Sequence, residues 1–290
     1  MKVPAEVLKK VQLLELRTRK LVNNLFAGEY HTHFKGQGMT FKDFREYVPG
    51  DDVRSISWPL TARTGKTFVK QYEEERELTL ILAVDISGSN DFGTGERFKG
   101  EVINWLAALL AFAAVKNNDQ VGLLLFSDQV EHFVPPCKGR GQVQRILRDL
   151  YYFQPKSART RISSALQHLS GILKKRTSVF VFSDFFDDNF EKSLRLLGSK
   201  HEVVACVISD PAEEKLPDLG VVDLQDAETG EILTVDTSSP FVRRQYEMEI
   251  KARREKRDRL LRKSQAERID INTGGDITAP LIEFFRRRGR

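Results

Sequence analysis

The chain has 290 residues, 40% of them hydrophobic and 30% charged, which is an ordinary composition for a soluble protein with a real core. No apolar run approaches the roughly 18 residues of a membrane span, and the opening MKVPAEVLKK lacks the hydrophobic stretch of a secretory leader, so the expected location is cytoplasmic without membrane insertion. Two cysteines exclude a disulfide framework and a cysteine-rich zinc site, and Cys206, inside VVACVIS, reads as an inert buried thiol.

Net charge is +5 and uneven: from Phe241 to Arg290 there are 15 Lys/Arg against 8 Asp/Glu. A basic end of this kind invites a nucleic-acid reading through phosphate contacts. Here Glu247, Glu249, Glu255, Asp258 and Glu267 interleave with the cations and stacking aromatics are few, so a solvated helix face is the preferred reading.

Along the chain, Leu8, Val11, Leu14, Leu21, Val22 and Leu25 predict an amphipathic helix over 4–27, which Gly28 ends. Residues 30–77 turn to glycine, aromatics and charge around the turn Pro49-Gly50-Asp51-Asp52, a small β-rich layer. Regular alternation follows: strand 78–84, helix 99–116, strand 121–126, helices 142–151 and 162–173, strand 179–182, helix 190–197, strand 203–208 and a shorter strand 221–224. This predicts an α/β fold with a doubly wound, mainly parallel sheet covered on both faces. A long polar helix from Phe241 and a short final helix carrying Leu281, Ile282, Phe284 and Phe285 complete the chain.

Ligands bind beyond the carboxyl ends of such strands, and here those ends are rich in oxygen: Asp85-Ile86-Ser87-Gly88-Ser89, Ser127-Asp128, Ser183-Asp184 and Ser209-Asp210. One Ser-Asp pair is an ordinary cap or turn. With LTLILAV leading into them, Asp85, Ser87 and Ser89 can turn three oxygens to one point, which suits a hard cation.

Asp85-x-Ser87-x-Ser89, Thr160 in TRISSAL and Asp184 in VFSD together resemble the metal-ion-dependent adhesion site of von Willebrand factor A domains. The resemblance implies that Ser87, Ser89 and Thr160 ligate Mg²⁺ or Mn²⁺, with Asp85 and Asp184 behind them holding the ligating waters. An acidic side chain from a partner would complete the shell. Residues 34–77, with Gly36, Gly38, Arg45, Tyr47, Gly50, Asp51, Arg54, Trp58, Ala62 and Arg63, are similar to the signature of the domain of unknown function 58 (DUF58) family, as is PLIEFFRRR near the end. On this resemblance the chain divides into residues 1–77 (helix and β-rich signature), 78–240 (von Willebrand factor A-like domain) and 241–290 (basic helical extension). It further implies a non-enzymatic adaptor or co-chaperone that works with a MoxR-type AAA+ ATPase or that ATPase's client.

Alternatives stand beside this reading. Arg45, Asp51, Asp52 and Arg54 form either a partner-binding surface or a buried ion-pair network. His31 and His33 read as surface histidines, and Tyr47 and Trp58 as packing anchors. A Mg/Mn-assisted hydrolase is the runner-up function, short of an evident base, with nucleic-acid binding through the basic helix behind it. A haloacid-dehalogenase-type phosphatase is excluded because Ser87 stands where its general acid belongs. Neither a phosphate-binding G-x-x-x-x-G-K-[ST] loop nor a G-x-S-x-G elbow occurs.

Overall fold

The computed structural model describes residues 38–75, 78–93 and 97–288. The expected N-terminal helix over 4–27, and His31 and His33, lie outside them. The chain divides into two compact units, one of which is Phe34–Leu78 and the other of which includes Thr79–Arg290.

In the first unit β1 (Gly38–Glu46) pairs antiparallel with β2 (Phe68–Glu75). A 3-10 turn at Val53–Ser55 and the short helix α1 (Trp58–Thr64) connect them. Gly50 sits at φ 112°, a conformation that favours glycine. Asp52 accepts from the Arg54 amide and caps the 3-10 turn. Arg45 grips Asp51 through two nitrogens at 2.7 and 2.5 Å, yet their side chains are 40% and 20% exposed, so the buried network is replaced by a half-exposed pair. Trp58 is 65% exposed and therefore no packing anchor in this unit, whereas Tyr47 is half-buried.

The second unit is built on β3 (Thr79–Asp85), β4 (Gln120–Phe126), β5 (Val130–Cys137), β6 (Ser178–Ser183), β7 (Glu202–Ser209), β8 (Val221–Gln225), β9 (Ile232–Asp236) and β10 (Glu267–Asn272). Its helices are α2 (Lys99–Lys116), α3 (Arg140–Tyr152), α4 (Ile162–Ile172), α5 (Glu191–Gly198), α6 (Pro240–Ser264) and α7 (Ala279–Arg288). Six strands form one sheet in the order β10-β7-β6-β3-β4-β5, parallel except for β5, while β8 and β9 make a separate antiparallel hairpin. The strand expected at 221–224 thus lies outside the main sheet. Residues 241–290, grouped from the sequence as an extension, supply its edge strand β10.

The central strands are apolar throughout because both faces are covered. On one face Ile81, Ala83, Leu124, Phe126, Val179, Val181, Ala205 and Val207 pack against Ile162, Leu166 and Leu169 of α4, Leu194 and Leu197 of α5 and Leu261 of α6. On the other, Phe180 meets Phe284 and Phe285 of α7 at ring separations of 6.3 Å. Each fully buried Leu, Ile or Phe contributes roughly 1.5–3 kcal/mol relative to exposure. That rigid sheet fixes the strand ends at which the polar residues collect.

Candidate metal centre

From β3 the chain crosses to β4 on one side, then returns past β3 to β6 on the other. The carboxyl ends of β3 and β6 therefore flank the switch point of the sheet, where open α/β folds bind ligands. Asp85 closes β3 there and Ser183-Asp184 closes β6. The Asp85 carboxylate is 1% exposed. One of its oxygens accepts from the Ser87 amide at 3.0 Å and the other from the Ser183 hydroxyl at 2.7 Å, both neutral donors. Burial first, and then the charge of Asp184, push its pKa up to about 7, against the opposing effect of those hydrogen bonds. The hydroxyls of Ser87 and Ser89 stand 3.2 Å apart, and the Asn90 side-chain Nδ2 ties the loop back to the Asp85 carbonyl at 2.6 Å.

Asp184 has a cationic partner that the sequence reading missed. Lys99, at the start of α2 and 1% exposed, donates to Asp184 at 3.0 Å and also to Glu213. Burial opposes the lysine's charge, but the two carboxylates outweigh it and hold its pKa above the usual lysine value. The second Asp184 oxygen accepts from the Phe186 amide at 3.2 Å. Buried Arg257 of α6 donates to the Asp184 carbonyl at 3.2 Å and lies 5.3 Å over the Phe186 ring. Between them Phe185 is fully buried at φ 58°, a left-handed conformation costly for a bulky side chain and found where a loop is held for a purpose.

Thr160 arrives from the segment before α4. That segment is clamped on both sides: the Arg161 amide donates to Ser127 at the end of β4, and the Ile162 amide to Asp187 after β6. Gly88 donates its amide to Ala158 at 2.8 Å, which joins the segment to the Ser87–Ser89 loop. The Thr160 hydroxyl itself turns to Glu228, at 2.7 Å, in the turn between β8 and β9.

The four oxygen-rich strand ends thus separate. Those after β3 and β6 meet. Ser127 turns to Glu131 instead, and Asp210 caps a 3-10 turn at Pro211–Glu213, from which Glu213 reaches Lys99. Helix α6, read from the sequence as a solvated face, is mostly exposed but buries Arg257, Leu261 and Ser264. Several of its cations pair with the chain's own carboxylates: Arg243 with Asp218, Arg254 with Glu214 and Lys256 with Asp188.

The model of the protein family described as "Protein of unknown function DUF58" matches residues 43–256, more than half of the sequence. The chain belongs to the DUF58 family. Uncharacterized proteins of Mycobacterium tuberculosis and Mycobacterium bovis are 31% identical to it over 284 residues, covering 96% of this chain and 89% of each relative. Among solved structures, the conserved hypothetical protein BatB of Bacteroides thetaiotaomicron superposes with a TM-score of 0.50 at 14% identity, over 73% of this chain and 98% of that one. An aerotolerance-related membrane protein of Bacteroides fragilis gives 0.50 at 15%, with the same coverage. At such identities these structures speak to the fold, a mixed α/β arrangement around a mostly parallel sheet consistent with the von Willebrand factor A-like type. Among the described residues no helix of this DUF58 chain is long and apolar enough to cross a membrane.

The oxygens of Asp85, Ser87 and Ser89 are of the type that a small divalent cation takes, while Asp184 is already paired with Lys99. Among the described residues no three His, Cys, Asp or Glu side chains gather to hold a metal. Two ligands on adjacent corners of an octahedron of ~2.1 Å radius lie about 3.0 Å apart, and the Ser87–Ser89 hydroxyl separation of 3.2 Å is close to that edge. With Asp85 ionised, no cation among the described residues is hydrogen-bonded to its carboxylate, since Lys99 meets Asp184 and Glu213 and Arg257 meets the Asp184 carbonyl.

Proposed function

We propose that this DUF58 chain is a non-enzymatic protein-interaction module with a von Willebrand factor A-like metal-ion-dependent adhesion site. Asp85, Ser87, Ser89, Thr160 and Asp184 hold Mg²⁺ or Mn²⁺ in this reading. The bound ion supplies an electrophilic coordination position that an acidic side chain of a partner protein fills. The observation that carries the reading is Asp85: a carboxylate 1% exposed, met only by neutral donors and set beside two hydroxyls at the topological switch point. A lone buried carboxylate is costly without a counter-charge, and Lys99 spends its charge on Asp184 and Glu213 instead.

In this reading each residue has a task. Ser87 and Ser89 present hydroxyl oxygens, and the Ser183 hydroxyl orients Asp85. Lys99 fixes the Asp184 carboxylate through its hydrogen bond, while Arg257 and the constrained Phe185 hold the β6 rim in place. Exposed Arg54 and the half-exposed pair of Arg45 with Asp51, itself next to the capping residue Asp52, are proposed as a second partner-binding surface. The partner class that the family resemblance suggests is a MoxR-type AAA+ ATPase or its client, in the cytoplasm.

Affinity capture from lysate with Mg²⁺, with chelator and with the Asp85→Ala variant tests the reading. Partners that are held only with Mg²⁺ and only by the wild-type chain support it. Capture indifferent to both chelator and substitution overturns it.

A further inference from the structure

The β8–β9 hairpin reaches over the candidate site with an acidic residue at its tip. The tip sits directly on the serine loop: a Cβ at Gly88 would lie 2.1 Å from the Ala227 carbonyl oxygen, so only glycine allows this approach. Beside it the Glu228 carboxylate accepts the Thr160 hydroxyl at 2.7 Å. That contact is an ordinary hydroxyl–carboxylate hydrogen bond, and it sets the Glu228 carboxylate against the hydroxyl that the metal-site reading makes a ligand.

The turn is built to present this carboxylate. One Asp226 oxygen accepts from the Glu228 and Thr229 amides, both at 2.8 Å, and the Gly230 amide closes the turn on the Asp226 carbonyl with φ 75° at the glycine. Farther back, buried Thr237 anchors the ribbon by accepting from the Leu219 amide at 2.9 Å and donating to the Gly220 carbonyl at 2.7 Å. The strands themselves are exposed, with Val221 at 68%, Ile232 at 66% and Leu233 at 68%. A two-stranded ribbon of this kind has little stability of its own and opens at low cost.

We infer that Glu228 is an internal ligand: it takes the outward coordination position of the ion, so that the isolated chain is self-capped and a partner's carboxylate has to displace the hairpin tip. This rests on the metal-site reading above and adds a regulatory step to it.

The test titrates the 290-residue chain with Mn²⁺ alone, following free Mn²⁺ by electron paramagnetic resonance and bound Mn²⁺ by water-proton relaxivity. Hydrogen exchange of residues 226–231 is recorded with and without the ion. Glu228→Gln keeps the shape of a half-buried turn residue. The expected result is affinity lower by about tenfold or more, relaxivity raised because water replaces the carboxylate, and loss of the Mn²⁺-induced slowing of exchange at the tip. Glu231→Gln, a change at an exposed neighbour, should match wild type in all three. If wild type binds Mn²⁺, Asp85→Ala does not, and Glu228→Gln equals wild type throughout, the internal-ligand proposal is overturned and the metal site stands. If wild type binds no Mn²⁺, the metal site itself fails and takes the proposal with it.

Discussion

The Ser183 hydroxyl donates to the Asp85 carboxylate at 2.7 Å and joins two strand ends that are 98 residues apart in sequence. This bond satisfies a buried acceptor whose other donors, the amide and side chain of Ser87, come from its own loop. Ser183→Ala removes the hydrogen bond to Asp85 that comes from β6, at a cost of about 1–3 kcal/mol. Urea unfolding in chelator should show this loss, and Mn²⁺ binding should weaken in the same variant.

Asp85 also predicts a pH dependence for the metal-free chain. Its pKa in the folded protein is raised to about 7 from an ordinary 3.8. The folded state therefore holds a proton that the unfolded state has released. This contribution to stability is complete below about pH 4 and is lost as the pH rises to about 7. Asp85→Asn is neutral at every pH, so in chelator it should gain on wild type between pH 4 and 7 by a few kcal/mol, levelling off above. Paired unfolding curves at several pH values check this, and saturating Mg²⁺ should reverse the order at pH 8.

Lys99 is the counter-charge of two carboxylates in a dry site. Lys99→Met removes it and strands both, with an expected loss of about 3–5 kcal/mol. Adding Asp184→Asn to Lys99→Met should recover part of the loss, a coupling that a double-mutant cycle measures.

Gly88 leaves no room for a methyl group under Ala227. Overpacking of this kind costs about 1–3 kcal/mol, and the hairpin tip is the part free to move. In Gly88→Ala, amide exchange at Glu228 and Thr229 should rise by roughly 5- to 150-fold, while exchange in the core strands β3 and β6 stays as in wild type.

Much of the sheet and of the β3 and β6 rim was legible because apolar strands run abruptly into short oxygen-bearing side chains. Asp85, Ser87, Ser89 and Asp184 could be read for that reason. The edge strands were harder. β5 carries Pro135 and Pro136, which argue against a strand unless it lies at an edge, as it does here. β10 alternates charged residues with Ile269 and Ile271, a weak signal after a long charged helix. Lys99 looks in sequence like any surface charge at a helix start; only the fold shows that it lies over Asp184 and Glu213. For Glu228 a signal did exist: Asp226 and Gly230 bracket a turn between two short strands. Where that turn would land depends on chain crossings that local pattern does not encode.

Isothermal titration of the 290-residue chain with Mn²⁺ tests the central claim most directly. The account predicts one saturable site per chain, displaced by Mg²⁺ and lost in both Asp85→Ala and Ser87→Ala, each still folded by circular dichroism. No binding to wild type, or equal binding to Asp85→Ala, would contradict it.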